Sequence, residues 1–422
     1  MIKTNKVENH LEKINFIIIS IFSLLLVSGP FFSELGMIVL IFSYLFLSKQ
    51  QLFKIQLLKK FLIIYLFFFL IILSSIFSDN IFYSLKSSFF YPRFILFSLA
   101  ISFFLSKSEN VLVSSFYILL SIFLFLFFDS ILQFLISENL TGISISSNRA
   151  SSLFGDELIL GSYILRLYPL LLSLFFFIYY DKLSVNYYIK ILILSIIVDF
   201  TVLLSGERTA FFLLILQKLM MLIFIPKLRK IILLNFCILS VGAGVLLNSN
   251  SSIKERIYDD TKKYINIDFR NKEFRPFTSE HSEIFETSYD MYLKNKILGV
   301  GPKNFRNLCD NNDYKKERRF SCSTHPHNFY IQLLAEGGVF VFLIFLIIYI
   351  VSFRFYSIKL NSEKKQKYKY SFLLCLITFS TNFWPLAPSA SFFNNWINMI
   401  IYLPLGFLIY NYNIIRQNKI IK

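Results

Sequence analysis

The sequence predicts an all-α protein that crosses a membrane about twelve times, and three observations support this fold class. Of its 422 residues, 55% are hydrophobic and 18% are aromatic, including 52 Phe. Only 16% are charged, whereas soluble globular chains carry roughly 25% charged residues. Apolar runs near the length that a helix needs to span a bilayer recur through the chain. This composition argues against an ordinary soluble enzyme, and it excludes a disordered chain, which would be poor in aromatic residues.

Twelve apolar runs divide the chain into three parts. Nine runs form a predicted N-terminal bundle at residues 1–247, and three form a C-terminal group at residues 327–422. Residues 248–326 are hydrophilic and are expected to form a mostly helical loop domain. The first run lacks a small-residue cleavage pattern, so we expect a retained helix rather than a removed signal peptide. The runs are residues 14–31, 35–48, 60–78, 89–106, 110–136, 157–180, 188–205, 209–225, 230–247, 328–353, 370–387 and 392–411.

Lysine and arginine residues predict the orientation, because they are enriched in short loops on the cytoplasmic side. With the N-terminus inside, the inside segments hold 22 cations, and both termini are then cytoplasmic. Residues 248–326 lie outside with 15 cations and 12 acids, which long loops tolerate because they translocate largely regardless of charge. The 22 cations of the inside segments thus mainly set the orientation, and binding to nucleic acid is not needed to explain the net charge of +17. The short outside loops hold only Lys86, Arg93, Arg149 and Arg208.

The predicted loop domain contains one clear amphipathic helix, at residues 280–296. The string GVGP at residues 299–302 follows it. This string is not a nucleotide-binding loop, because it lacks the spacing and Pro302 has no backbone donor. It is typical of a sharp turn. The side of the helix expected to be buried holds Ile284, Phe285, Tyr289, Tyr292 and Leu293.

Two of the four cysteines, Cys309 and Cys322, lie in the loop domain. In an oxidising compartment they would form a disulfide. The alternative is a metal site in which they join His325 and His327, although this tight spacing differs from that of common zinc sites. The other two cysteines lie inside apolar runs, where cysteine is usually an inert packing residue.

Charged residues inside or beside apolar runs are costly in a bilayer, so each is a candidate functional residue. The strongest is Arg208, in the polar break SGERT at residues 205–209. A guanidinium group binds phosphate oxygens in bidentate fashion. The alternative is a salt bridge of Arg208 to Glu207 or Asp199. Elsewhere Arg166 has Glu157 or Asp156 as a candidate partner, and Arg93 is expected to be an interfacial anchor. The remaining candidates are Asp129 and Glu336.

A third candidate feature is the string HPHN at residues 325–328, which opens a helical run that ends at Gly337-Gly338. Pro326 suits the first helical position, so His327 is expected in the first turn. The free N–H groups and the helix dipole there favour an anion and lower an imidazole pKa. A neutral histidine beside an anion site can act as a general base. The alternative is a solvated surface residue.

Taken together, these strings resemble the O-antigen ligase and polymerase family, which are bacterial membrane glycosyltransferases with a large periplasmic loop. The resemblance covers most of residues 150–400. The matching strings, in chain order, are FGDE (154–157), SGERTA (205–210), ILGVGPKNF (297–305), HPHN (325–328), LLAEGG (333–338) and SFFNNW (391–396).

The resemblance implies a GT-C-like fold in the bacterial inner membrane, with the active site facing the periplasm. It implies metal-independent transfer, without a cofactor, of a glycan from undecaprenyl pyrophosphate to an acceptor hydroxyl. In ligases of lipopolysaccharide biosynthesis the acceptor is lipid A–core, and in polymerases it is another lipid-linked repeat unit. The His-Asn helix pattern favours a ligase. A non-enzymatic transporter or flippase is the competing class, but it needs neither the long loop nor this helix.

Site residues follow from the same resemblance. Arg208 would bind the pyrophosphate, and His327 would be the general base or orient the acceptor. Many members carry an arginine near the position of His281, so His281 and the arginines before it are candidates for a second phosphate contact. The expected substrate-binding residues are Asn328, His325, His281, Arg275, Arg270, Arg166 and Glu207.

Overall fold

The computed structural model describes residues 2–48, 62–146, 149–249, 254–259, 262, 266–268, 273–275, 277–358 and 365–417. The described chain is dominated by helices, and each of the twelve predicted apolar runs coincides with a helix. In chain order the helices are α1 (Ile2–Val27), α2 (Pro30–Leu47), α3 (Leu62–Ile76), α4 (Ile81–Phe89), α5 (Arg93–Lys107), α6 (Asn110–Ile136), α7 (Leu160–Tyr179), α8 (Val185–Leu204), α9 (Arg208–Phe224), α10 (Arg229–Ser249), α11 (Ser279–Lys294), α12 (Phe305–Leu308), α13 (Asn312–Lys315), α14 (Phe329–Ser352), α15 (Gln366–Asn382) and α16 (Asn395–Gln417).

The predicted all-α polytopic fold is confirmed. Within the described ranges, nine helical segments are long and apolar enough to cross a membrane. The other three predicted runs are the shorter helices α3, α9 and α15, so the number twelve stays a prediction. The hydrophilic segment also contains an antiparallel ribbon that the sequence did not predict, formed by β1 (Asn266–Asp268) and β2 (Glu273–Arg275).

Helix α7 lies at the centre of the bundle, with almost every residue from Leu160 to Phe177 buried. It packs against α8 and α15, and α15 in turn packs against α16. Helix α7 carries Arg166 and Ser173, which would be costly against lipid, and the middle of the bundle shields these polar side chains.

A buried ion pair joins the helices beside α7. Lys218 on α9 forms a salt bridge with Asp199 on α8, and both side chains are almost completely buried. The side chain of Asn235 on α10 donates to Asp199 Oδ2 at 2.9 Å and accepts from Lys218. Asp199, which the sequence offered as an alternative partner of Arg208, therefore has Lys218 and Asn235 as partners of its carboxylate.

Helix α14 contains a kink that receives the GVGP turn. Gly338 has φ 78° and ψ 179°, which interrupts the helical backbone. The carbonyl groups of Ala335 and Glu336 accept hydrogen bonds from Val300 and Gly301, both at 2.9 Å. The sharp turn expected after α11 is therefore present. The helical run that begins at Phe329 ends at the glycines as expected, and a second helical run follows Gly338 and continues to Ser352.

The loop helix α11 begins after Thr278, whose side chain accepts from the backbone N–H of His281. Its buried residues are Ile284, Thr287, Ser288 and Met291. The expected burial of Tyr289 and Leu293 is wrong, because these side chains are 52% and 43% exposed. The small side chains of Thr287 and Ser288 belong to the face that α11 buries where it packs against α14. We call the end of the bundle on which residues 277–328 lie the loop face.

Candidate functional site

Three histidines meet at the loop face. His281 comes from the first turn of α11, while His325 and His327 come from the segment before α14. The ring centroids of His325 and His327 are 4.1 Å apart, and those of His281 and His327 are 5.3 Å apart. We call this group the histidine cluster. Folding thus joins two strings that are more than forty residues apart in the sequence.

The conformation of His327 corrects one expectation. Asn328 is the N-cap of α14, and its side chain accepts from Tyr330 N at 2.9 Å and Ile331 N at 3.2 Å. His327 therefore precedes the helix, with a left-handed φ of 53°. The strong capping preference of asparagine explains why the helix begins after it and not at Pro326. His327 Nε2 lies 2.8 Å from Ser323 Oγ.

All three histidines have a pKa below the usual value of histidine. Burial, with the neighbouring charge of His327, lowers the pKa of His325 to about 3. Burial, with the charge of His281, lowers the pKa of His327 to about 4. Burial also lowers the pKa of His281, where nearby Glu280 opposes the shift and the charge of Arg208 adds to it. The rings are therefore neutral near pH 7, because of burial and mutual repulsion rather than a position in a helix.

Arg208 is the first residue of α9 and is partly buried. Its charge lowers the pKa of His281, so the guanidinium lies within electrostatic range of the histidine cluster. The residue before it, Glu207, accepts from the backbone N–H of Gly161 at 2.6 Å and from the Ser162 hydroxyl at 2.6 Å. Glu207 therefore binds the N-terminus of α7, where free N–H groups favour a carboxylate. In this structure it anchors the start of α9 and so helps to place Arg208.

Two other predicted substrate-binding residues, Arg166 and Asn328, use their side chains for contacts with other parts of the chain. Arg166 is buried in α7 and donates to Asn382 on α15, so its expected pairing with Glu157 or Asp156 is not the contact that forms. The side-chain amide of Asn328 donates to the carbonyls of Pro385 and Ala387. Arg275 belongs to β2, and Arg270 lies outside the described residues.

Sequence reasoning missed two groups that hold the loop face together. Arg149 donates to the carbonyl groups of Ser205 and Leu158, at 2.9 and 3.0 Å, and so ties the SGERT string to the residues before α7. Gln332 donates to Ser391 Oγ at 3.1 Å and accepts from Phe392 N at 2.7 Å. The second group explains why the SFFNNW string accompanies α14. In the sequence, Arg149 and Gln332 were each only a polar residue close to a motif, which did not predict these contacts.

The two loop cysteines are joined as a disulfide, with Cα atoms 4.9 Å apart. Their sulfur atoms are bonded to each other, which removes them from the metal-ligand set that the sequence left open. Over the part of the chain that the structure describes, no group of three His, Cys, Asp or Glu side chains is placed to hold a metal ion.

Fold and site together define a polytopic helical membrane protein with a histidine and arginine site at one end of its bundle. Residues 191–346 match a protein-family model described as O-antigen ligase. This match confirms the resemblance over the strings from SGERTA to LLAEGG, and it includes Arg208, the GVGP turn and the histidine cluster; the FGDE and SFFNNW strings lie outside the matched residues. It indicates a membrane glycosyltransferase of the O-antigen ligase or polymerase type. A comparison with curated proteins finds no match.

Proposed function

We propose that the protein is an O-antigen ligase-like glycosyltransferase that moves a glycan from undecaprenyl pyrophosphate to a lipid A–core acceptor. The observation that supports this best is the meeting of three histidines at the loop face, within electrostatic range of Arg208. The positions of lysine and arginine in the short loops favour an orientation with this face in the periplasm and both termini in the cytoplasm.

The reaction transfers one glycosyl group. An acceptor hydroxyl attacks the anomeric carbon of the donor, and the bond from this carbon to the pyrophosphate oxygen breaks. The hydroxyl proton passes to His327, and the released pyrophosphate keeps the electron pair. Arg208 stabilises the charge that develops on this leaving group, which fixed cations do strongly in a site of low dielectric. The proposed reaction uses these side chains and needs no metal.

Substrate binding would strengthen the general base. A histidine with a pKa of about 4 binds protons weakly at neutral pH. A bound pyrophosphate places negative charge near the imidazole, and a nearby opposite charge raises the pKa of histidine. His327 therefore becomes a better base when the donor is present. The Ser323 hydroxyl, 2.8 Å from Nε2, keeps the ring in a defined orientation.

Reconstitution of the purified protein tests the proposal. Liposomes would contain an undecaprenyl-pyrophosphate-linked glycan and lipid A–core, with a chelator present. We expect transfer by the wild type and a loss of roughly 10²–10³-fold in Arg208→Ala and of roughly 10²–10⁴-fold in His327→Ala. Arg354→Ala and His10→Ala are matched controls, because both residues are exposed and lie outside the site. Full transfer in both site variants would overturn the assigned roles.

Deletion of the gene separates the two related reactions. Unligated core together with accumulated lipid-linked polymer on a gel indicates a ligase. Core that carries single repeat units indicates a polymerase, which would use the same site with a lipid-linked repeat unit as acceptor. Failure of any transfer by the purified protein would favour a transporter or flippase.

A further inference from the structure

Lys303 lies in an unusual position beside the GVGP turn. It has a left-handed φ of 63° and is only partly exposed. The residues on each side are held on α4, since Ser84 Oγ donates to the Pro302 carbonyl at 2.9 Å and Asn304 Nδ2 lies 3.0 Å from the same Oγ. These two bonds pin the backbone of Lys303 against the start of the α4–α5 segment.

Three other cations lie within electrostatic range of this lysine: Arg306 follows it by one turn, and Lys86 and Arg93 belong to the α4–α5 segment on which its neighbours are held. Burial lowers the pKa of Lys303, and the charges of Arg306, Arg93 and Lys86 lower it further, against the opposing charge of Glu336. We call Lys86, Arg93, Lys303 and Arg306 the basic cluster. It joins α4, the start of α5 and the segment after the GVGP turn, which are far apart in the sequence.

Acidic side chains do little to neutralise the basic cluster. Among the described residues, Lys86, Lys303 and Arg306 form no salt bridge, and Arg93 has only a 3.9 Å contact with Glu34. The Nε atom of Arg93 is buried without a hydrogen-bond partner in the described part of the chain. The carboxylate of Glu336 is already bonded to Phe305 N. Grouped cations without acids repel one another, and a bound anion relieves this cost.

An exposed aromatic surface adjoins the same cations. Phe82, Phe89 and Phe90 are 90%, 65% and 53% exposed, and they flank Lys86 along α4. Helices α4 and α5 together form one of the segments long and apolar enough to cross a membrane, Ile81–Lys107. Its first residues would lie at the membrane boundary, where aromatic rings contact acyl chains and cations contact head groups.

We propose that the basic cluster is a binding site for a phosphate or pyrophosphate group carried on a membrane lipid. The cations would hold the phosphate oxygens, and the exposed aromatic rings would contact the lipid chain. The basic cluster lies on α4, the start of α5 and the segment after the GVGP turn, whereas Arg208 begins α9, so the two sets of cations come from different elements of the fold. Two phosphate-bearing lipids could then meet at the histidines, and this role rests on the proposed function. Binding of a lipid phosphate to the basic cluster does not depend on the proposed function.

The test measures binding without any glycan, so its result is independent of the transfer reaction. The full-length protein in phosphatidylcholine nanodiscs is titrated by calorimetry with dioctanoyl phosphatidic acid, dioctanoyl phosphatidylcholine or inorganic pyrophosphate. The test variant is Lys303→Gln with Arg306→Gln. The matched control is Lys294→Gln with Lys315→Gln, which removes the same charge from exposed lysines already paired with Asp313 and Asp310.

We expect phosphatidic acid to bind the wild type and the control alike. In the test variant its Kd should rise at least about tenfold, the loss expected when charge-assisted hydrogen bonds are removed. Lys303→Arg with Arg306→Lys keeps both charges and should retain affinity, which separates loss of charge from misfolding. If only pyrophosphate bound the wild type and lost affinity in the test variant, while phosphatidic acid did neither, the anion site would be supported but its lipid source would be overturned. Equal binding by the test and control variants, or equal binding of phosphatidylcholine, would overturn the proposal.

Discussion

Replacement of Gly338 by alanine would test how tightly the GVGP turn is held on α14. A Cβ atom at Gly338 would lie 2.1 Å from the carbonyl oxygen of Ile297 and 2.5 Å from its carbonyl carbon. Both are backbone atoms, so no flexible side chain can move aside. Val339 N also donates to the Lys296 carbonyl at 2.9 Å, and this bond would be lost if the turn moved.

Three costs follow from this geometry. A residue other than glycine at φ 78° and ψ 179° costs about 1–3 kcal/mol. Overpacking adds about 1–3 kcal/mol, and the lost hydrogen bond adds about 1 kcal/mol. Together they should lower the free energy of unfolding by about 3–7 kcal/mol, an amount comparable with the whole stability of many domains.

Two other glycines supply matched controls. Gly142 has nearly the same φ, 79°, but nothing lies within 4 Å of an added Cβ. Gly142→Ala should therefore show backbone strain alone, about 1–2 kcal/mol. Gly244 lies in helix α10 with open space around it, so Gly244→Ala should be neutral or stabilise by up to about 1 kcal/mol.

Thermal unfolding in detergent, followed by circular dichroism at one scan rate, would rank the three variants. We expect the unfolding midpoint to fall most for Gly338→Ala, less for Gly142→Ala and not at all for Gly244→Ala. If Gly338→Ala and Gly142→Ala unfold together, the clash is absorbed and the turn is not rigidly docked.

Three further predictions concern the site. Because the pKa of His327 is about 4 in the free protein, kcat/KM should be constant down to about pH 5 and fall below it. As the pH is lowered, kcat should begin to fall at a higher pH than kcat/KM does, since bound pyrophosphate raises the pKa of His327. If steady-state rates gave the same pH profile for kcat and kcat/KM, this prediction would be contradicted. Glu207→Gln should lower the free energy of unfolding by about 1–2 kcal/mol. It should also lower the rate of glycan transfer, because Glu207 helps to place Arg208. Loss of transfer at unchanged stability would instead make Glu207 a substrate contact. Finally, Cys309 and Cys322 should resist alkylation until reduced, and mass spectrometry that finds both thiols free would refute the disulfide.

The helices were predictable from the sequence for a simple physical reason. In a bilayer every backbone N–H and C=O must be bonded within the protein, so a long apolar run can only be a helix. The number of crossings is less certain, because α9 and α15 are only 17 residues long and carry polar side chains. Length and hydropathy alone do not decide such cases.

The sequence singled out residues of the candidate site but not their geometry. His327 and Arg208 could be singled out by residue type and string. The buried face of α11 could not, because Thr287 and Ser288 are buried only through the close approach of α14. The basic cluster was equally hidden, since Lys303 comes near the α4–α5 segment only when Pro302 and Asn304 bond to Ser84.

The buried pair of Asp199 and Lys218 has a consequence for biogenesis. A single charge at the centre of an inserting helix costs about 2.5–3.5 kcal/mol. Helix α8 carries the acid and α9 carries the base, with only residues 205–207 between the helices. We therefore expect α8 and α9 to leave the translocon as a hairpin whose charges are already paired. Helix α10, which brings Asn235 to the same pair, would join this hairpin next and complete a three-helix unit of assembly.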